Sequence, residues 1–151
     1  MTLPYDDLMS DLAGLLEGEH DPIANAANVS ACLYQYLPDI NWAGFYFLRG
    51  GTLVLGPFQG KPACVRIPLG QGVCGTAAAR RETIVVPDVH AFPGHIACDA
   101  ASNAEIVVPL VRDGALLGVL DIDSPRKGRF SVADQNGCEA VAAAYVASLG
   151  G

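Results

Sequence analysis

Apolar residues recur along this chain with two different periods, and each switch of period marks an element. Leu8, Leu12, Leu15 and Leu16 fall at helical spacing and predict a first helix over residues 5–17. Asp21 and Pro22 supply an N-cap and a first-turn proline for a second helix, which runs to about Leu37 and is stopped by Pro38. The period then shortens. "NWAGFYFLRGG" reads as a strand ending in a Gly50-Gly51 turn, with "TLVLGPF" as its hairpin partner. "ACVRIPLG" predicts a third strand, ended by Pro68 and Gly70, and "GVCGTAAARR" a short alanine-rich helix. "TIVVPD" is a strand stopped by Pro87. Residues 88–103 keep no sustained period, and so long a connection in a compact domain is more often functional than idle. "EIVVPLVRDGALLGVLDID" predicts a hairpin turning at Asp113-Gly114. "SVADQNGCEAVAAAYVASLG" is the last helix, with Ser131 as N-cap and Asp134 three residues on, a relative of the capping box. Helices at both ends of a hairpin-connected sheet predict the α+β class.

The 151 residues suggest a single domain over 1–151, large enough to bury roughly 70% of its unfolded surface without disulfide staples. No apolar run approaches the ~18 residues of a membrane span. "MTLPYDDLMSDL" has neither the basic nor the apolar region of a signal peptide. Both features predict a cytoplasmic protein with no membrane partner. The formal charge of −7 argues against nucleic acid and anionic lipid.

Cysteine changes the picture. The five cysteines are an odd number, which in a reducing compartment is not a disulfide framework. Cys32 lies between Val29 and Tyr36 on a helical face, and Cys138 lies near Val141 and Ala142. Both suit small buried hydrophobes. Cys64, Cys74 and Cys98 fall outside such faces. Cys98 sits in "GHIACDAASNAE", among small and polar residues and seven positions before Glu105.

Two motifs have plain readings. "GQGVCG" matches a dinucleotide-binding glycine pattern, but the downstream elements cannot supply the further βα units of a parallel sheet. A tight strand-to-helix connection accounts for it. His90, His95 and Cys98 are not spaced as a zinc site. No metal and no cofactor are expected.

"DID" carries more. Asp121 and Asp123, two apart on a strand, share a face. A two-residue Asp113-Gly114 turn would set Glu105 opposite Ile122, facing away from both. A three-residue loop, Arg112-Asp113-Gly114, would set Glu105 opposite Asp121. The three-residue loop gathers all three carboxylates on one face, and that gathering is expected. Pro109 has no ladder donor, so its strand should be at an edge or bulged there. Carboxylates this close cannot all ionise cheaply, so one should stay protonated near neutral pH.

"NWAGFY", "GPFQGKPACVRIPLGQGVCGTAAA", "DVHAFPGHIACDAASNAEIVVPL" and "GVLDIDSP" together resemble the free methionine-(R)-sulfoxide reductases, which are built on the GAF fold. The resemblance covers about residues 41–131. It implies an antiparallel sheet of about six strands with the terminal helices on one face. It implies Cys98 as nucleophile, Cys64 as resolving cysteine and Cys74 as a third participant in disulfide chemistry. It implies roles for Glu105, Asp121 and Asp123, with Trp42 packing on the substrate methyl group and Tyr46 nearby. The implied partners are free methionine-(R)-sulfoxide and thioredoxin as reductant, and a homodimer is allowed. The chemistry suits those residue types. A thiolate attacks sulfur, although only about 3% of an unperturbed thiol is ionised at pH 7. A protonated Glu105 activates the departing oxygen, and Asp123 with Asp121 holds an ammonium group. A GAF module that senses a small ligand is the alternative, and it needs the pocket without the thiols.

Overall fold

The computed structural model describes residues 4–95 and 101–150. In chain order the elements are α1 (Tyr5–Leu16), α2 (Pro22–Tyr36), β1 (Trp42–Arg49), β2 (Thr52–Gly60), β3 (Arg66–Pro68), α3 (Gly72–Arg80), β4 (Ile84–Val86), β5 (Ala104–Arg112), β6 (Ala115–Ser124) and α4 (Val132–Ser148), with a 3-10 turn at Val89–Ala91. The six strands form one sheet in the order β3-β2-β1-β6-β5-β4, every neighbour antiparallel. This is the α+β architecture expected, with short hairpin links and one return across the sheet.

The caps explain where the helices begin. The Asp21 side chain accepts from the Ala24 N–H at 2.8 Å, and Pro22 occupies the first turn of α2. The Ser131 hydroxyl accepts from the Asp134 N–H while the Asp134 carboxylate accepts from the Ser131 N–H, a full capping box. Leu8, Leu12 and Leu16 enter the core, whereas Leu15 is exposed on the outer side of α1. The buried positions Tyr5, Leu8, Leu12 and Leu16 centre the stripe so that Leu15 falls at its margin. The third strand is shorter than expected, because of "ACVRIPLG" only Arg66–Pro68 pairs, with β2.

The sheet divides two apolar clusters. On one face α1, α2 and α4 cover Ala43, Phe45, Phe47, Ile106, Val108, Leu110, Leu120 and Ile122. On the other, α3 and the connections pack on Trp42, Tyr46, Val107 and Val119. Cys32 and Cys138 are free and buried on the helical side. Burial pushes the Cys138 thiol up to about 12.

The β5–β6 hairpin corrects the expected turn. Arg112 pairs with Ala115, so the loop is the two-residue Asp113-Gly114, with both φ values positive as a type I′ turn requires. Alone, that turn would put Glu105 opposite Ile122. The register shifts, however, between Leu110 and Val111: Val111 pairs with Leu116, Leu110 with Gly118, and Glu105 with Asp123. Leu117 is the extra residue of a bulge. It packs with the helical-side cluster while Leu116 packs with the opposite one. Gly118 is required there, since an added Cβ would lie 2.1 Å from the Tyr46 carbonyl oxygen. Pro109 lies beyond the part of β5 that β4 pairs and one residue before the register shift, at an edge and beside a bulge as expected.

Candidate active site

Strands β1, β3, β5 and β6, helix α3 and the connections build the site. On the face opposite the long helices, β1 contributes Trp42 and Tyr46, β6 contributes Asp121 and Asp123, and β5 contributes Glu105. Asp123 is the cross-strand partner of both Trp42 and Glu105, and Asp121 the partner of Gly44 and Val107. Gly44 puts no side chain beside Asp121, and a Cβ there would lie 2.3 Å from Phe58 Cβ. These groups line one cavity with Ile67, Val73, Cys74, His95 and Ser102. The floor is therefore acidic and the β1 side aromatic.

The aromatic wall is locked. Trp42 stacks on Phe58 with centroids 5.1 Å apart, and its indole N–H donates to the Lys61 carbonyl at 3.0 Å. The Tyr46 hydroxyl donates to the Cys64 carbonyl at 2.9 Å. Burial, reinforced by the charge of Asp121, raises the Tyr46 phenol, so it stays a donor. Both bonds pin the 61–64 segment as a rim over the cavity.

The acidic floor is desolvated. Glu105 is 8% exposed and Asp121 4%. Burial, then the charge of Asp121, holds the Glu105 carboxyl well above the usual carboxylate range. Burial, then the charge of Asp123, does the same for Asp121. Like charges this close share protons, so the cluster titrates as a unit. The Asp121 Oδ1 atom has no hydrogen-bond partner among the described residues.

The cysteines separate by position. Cys74 lies in the first turn of α3, where a helix N-terminus would lower a thiol pKa. Burial dominates instead, followed by the charge of Asp121, and raises it well above its ordinary value. Its Sγ donates to Glu105 Oε2 at 3.7 Å. Cys74 is free, whereas Cys64 is half-buried and disulfide-bonded. Cys98 lies outside the described residues, so its expected place at the cavity mouth does too. The "GQGVCG" glycines make the tight connection expected: the Gly70 N–H donates to the Gly75 carbonyl at 2.8 Å, and a Cβ at Gly75 would lie 2.4 Å from the Pro68 carbonyl.

The GAF domain family matches residues 11–149. The free methionine-R-sulfoxide reductase of Escherichia coli is 61% identical over 133 residues, covering 88% of this chain and 81% of that protein. The chain belongs to the free methionine-R-sulfoxide reductase family of GAF-domain proteins. A structure of fRMsr of Staphylococcus aureus in complex with substrate superposes with a TM-score of 0.94 at 50% identity, covering 99% of this chain and 98% of that one. The Neisseria meningitidis free methionine-R-sulfoxide reductase in complex with its substrate gives 0.93 at 41%, over 96% and 87%.

As a member of the reductase family, the chain carries the sequence-derived Trp42, Tyr46, Cys74, Glu105, Asp121 and Asp123 in one cavity. Sequence reasoning missed His95 and Ser102 as wall residues, and Phe58 as the plate beneath Trp42. Phe58 was legible in principle, as an aromatic on the strand paired with β1. His95 and Ser102 gave no periodic signal. Burial, then its neighbour His90, lowers the His95 imidazole below its ordinary range. A metal ion could be held by Cys74, Glu105 and Asp121, whose donor atoms all lie within 4.8 Å of one another. His90 and His95 do not form that group, and His90 bonds Asn103 instead.

Proposed function

We propose that this chain reduces free L-methionine-(R)-sulfoxide to methionine through its thiols. The observation that carries the reading is the desolvated carboxylate floor beside a rigid aromatic wall. A small zwitterion with a polar S–O group and an apolar methyl matches both. In this reading the sulfoxide oxygen faces the protonated Glu105 and the methyl packs on Trp42. Exchanging the two would set oxygen against an apolar ring, which selects one epimer at sulfur. Asp121 and Asp123 receive the substrate ammonium, and Asp121 Oδ1 supports this because it lacks a hydrogen-bond partner among the described residues.

Cys98, as thiolate, attacks the sulfoxide sulfur. Glu105 delivers a proton to the oxygen, the hydroxyl passes from the substrate sulfur to the Cys98 sulfur as the bond between the two sulfurs opens, and methionine leaves with its sulfur reduced. Cys98 is left as a sulfenic acid, oxidised by two electrons. The Cys64 thiol then displaces water from that sulfenic acid and forms a disulfide. A dithiol reductant of the thioredoxin class returns both thiols by exchange. Two features favour Cys64 over Cys74 as the resolving thiol. Cys64 sits half-buried on the rim and is disulfide-bonded, while Cys74 is buried behind the carboxylates with its proton held. A reducing cytoplasm would suit this cycle.

Thiols counted before and after adding methionine sulfoxide test the reading. Two thiols should be lost per methionine formed. Cys98→Ser should abolish even a single turnover, and Cys64→Ser should give about one methionine per chain and then stall. Substrate binding with no thiol loss would leave a ligand-binding GAF module.

A further inference from the structure

We propose that the reduced protein binds one thiophilic divalent cation, Zn2+ in a cell, between the Cys74 thiolate and the carboxylates of Glu105 and Asp121. The three ligands come from α3, β5 and β6, so folding alone assembles them. All three are buried, with one donor atom from each lying within 4.8 Å of the others. A tetrahedral zinc with Zn–S of about 2.3 Å and Zn–O of about 2.0 Å needs its sulfur and oxygen about 3.5 Å apart. The Cys74 Sγ to Glu105 Oε2 separation is 3.7 Å. That pair already sits near the separation an ion requires, and Asp121 closes on it from within 4.8 Å.

A second observation points to a cation. Asp121 is 4% exposed and its Oδ1 has no hydrogen-bond partner among the described residues. Once Asp121 is ionised, a buried carboxylate oxygen in that condition calls for a donor or a positive charge. The described cavity wall has no Lys or Arg, and His95 is its one basic side chain. The other titratable groups facing the position are Asp123 from β6 and Tyr46 from β1. The cation replaces the proton of the Cys74 thiol and whichever carboxyl protons the cluster holds, and releases them to solvent. The fourth coordination position is left for water. Because ligands lose protons, binding tightens as pH rises.

The cation would lie where the substrate ammonium was assigned and would take Glu105 out of proton delivery. Competition with substrate therefore rests on the proposed function, whereas binding does not. The site makes the reductase activity sensitive to zinc through a thiol that the redox cycle does not consume.

The test uses reduced, chelator-treated full-length protein titrated with Co2+, and with Zn2+ against a chromophoric chelator. One equivalent should bind, with a thiolate-to-cobalt charge-transfer band. Affinity should fall roughly tenfold or more in Cys74→Ser and in Asp121→Asn. It should persist in Cys138→Ser and in the double variant Cys64→Ser/Cys98→Ser. Absence of the band in the wild-type protein overturns the proposal whatever the variants do. So does a band that survives Cys74→Ser and disappears in the double variant. Steady-state assays then separate the two readings: Zn2+ should raise the apparent KM and leave kcat unchanged. Stoichiometric binding without competition would uphold the cation site and overturn the ammonium assignment.

Discussion

Burial raises the pKa of a carboxylic acid because the charged form loses its water, and Glu105 meets that condition. The carboxyl is 8% exposed, its ladder partner is Asp123 and its near neighbour is Asp121. Glu105→Gln keeps the shape and removes the transferable proton. Its kcat should fall by about 10²–10⁴-fold, the range of a lost general acid. The same variant has a stability signature. The folded pKa of Glu105 lies above the unfolded value of about 4.3. As pH rises the unfolded chain loses this proton first, so stability is lost from about pH 4 upward through the folded pKa. Glutamine removes that loss. The Tm of Glu105→Gln relative to wild type should therefore rise between pH 4 and pH 8, and a constant difference would show that Glu105 ionises normally in the fold.

Two devices at the scale of elements hold the site and its support in place. The first is the β6 bulge at Leu117. With the two-residue turn and no bulge, Glu105 would pair with Ile122 and point into the helical cluster. One extra residue moves it to Asp123 and to the cavity face. Gly118 lets the bulge lie against β1, because a Cβ would meet the Tyr46 carbonyl at 2.1 Å. Gly118→Ala should cost about 1–3 kcal/mol in chemical denaturation and weaken activity as well, since the displaced backbone carries Tyr46. The second device ties α1 to α4. The Tyr5 hydroxyl donates to Asp134 Oδ1 at 2.8 Å, and Arg129 donates to Asp134 Oδ2 at 2.9 Å. Burial would raise the Asp134 carboxyl, but the Ser131 N–H, the Tyr5 hydroxyl and Arg129 together lower it. Its stabilisation is thus present above the unfolded pKa and is lost as pH falls through the folded one. Asp134→Ala leaves Arg129, itself 8% exposed, with its charge unpaired. The expected loss is about 3–5 kcal/mol by urea unfolding, with little change in KM because the network lies across the sheet from the cavity.

Across the whole molecule, the sheet is a partition. Its helical face carries the core that stabilises the fold, and its other face carries a desolvated acidic pocket that costs stability. The two faces carry separate apolar clusters, so the pocket can hold protons and the Asp121 oxygen without loosening the helical core. In the proposed function the pocket also selects the charge of its substrate. A peptide-bound methionine lacks the α-ammonium except at a chain start. Leaving a buried carboxylate without its partner costs on the order of 3–5 kcal/mol, a discrimination of roughly a hundredfold or more. N-acetylated, amide-capped methionine-(R)-sulfoxide should show kcat/KM lower by at least that factor than the free amino acid. The free S epimer should also be poor. Comparable values for the capped substrate would show that Asp121 and Asp123 do not read the ammonium.

The sequence by itself determined the elements, because periodicity, caps and turn residues act within a few positions. Asp21-Pro22 and Ser131 with Asp134 act locally, so each could be read without a fold, and Asp113-Gly114 located the turn while leaving its length open. It also determined which side chains were candidates, since carboxylates two apart on a strand share a face in any tertiary setting. The pairing of Glu105 with Asp123 was decided only by tertiary structure. The bulge at Leu117 breaks the alternation, and nothing in "GALLGVLDID" announces which residue is left unpaired until β1 lies alongside. Tertiary structure also placed the Cys74 thiol against Glu105, 31 positions away in sequence, and His95 and Ser102 on the cavity wall. Those contacts join α3 and the connections to strands across a folded sheet. Their energies, from desolvation to shared protons, exist only when the chain has closed over them.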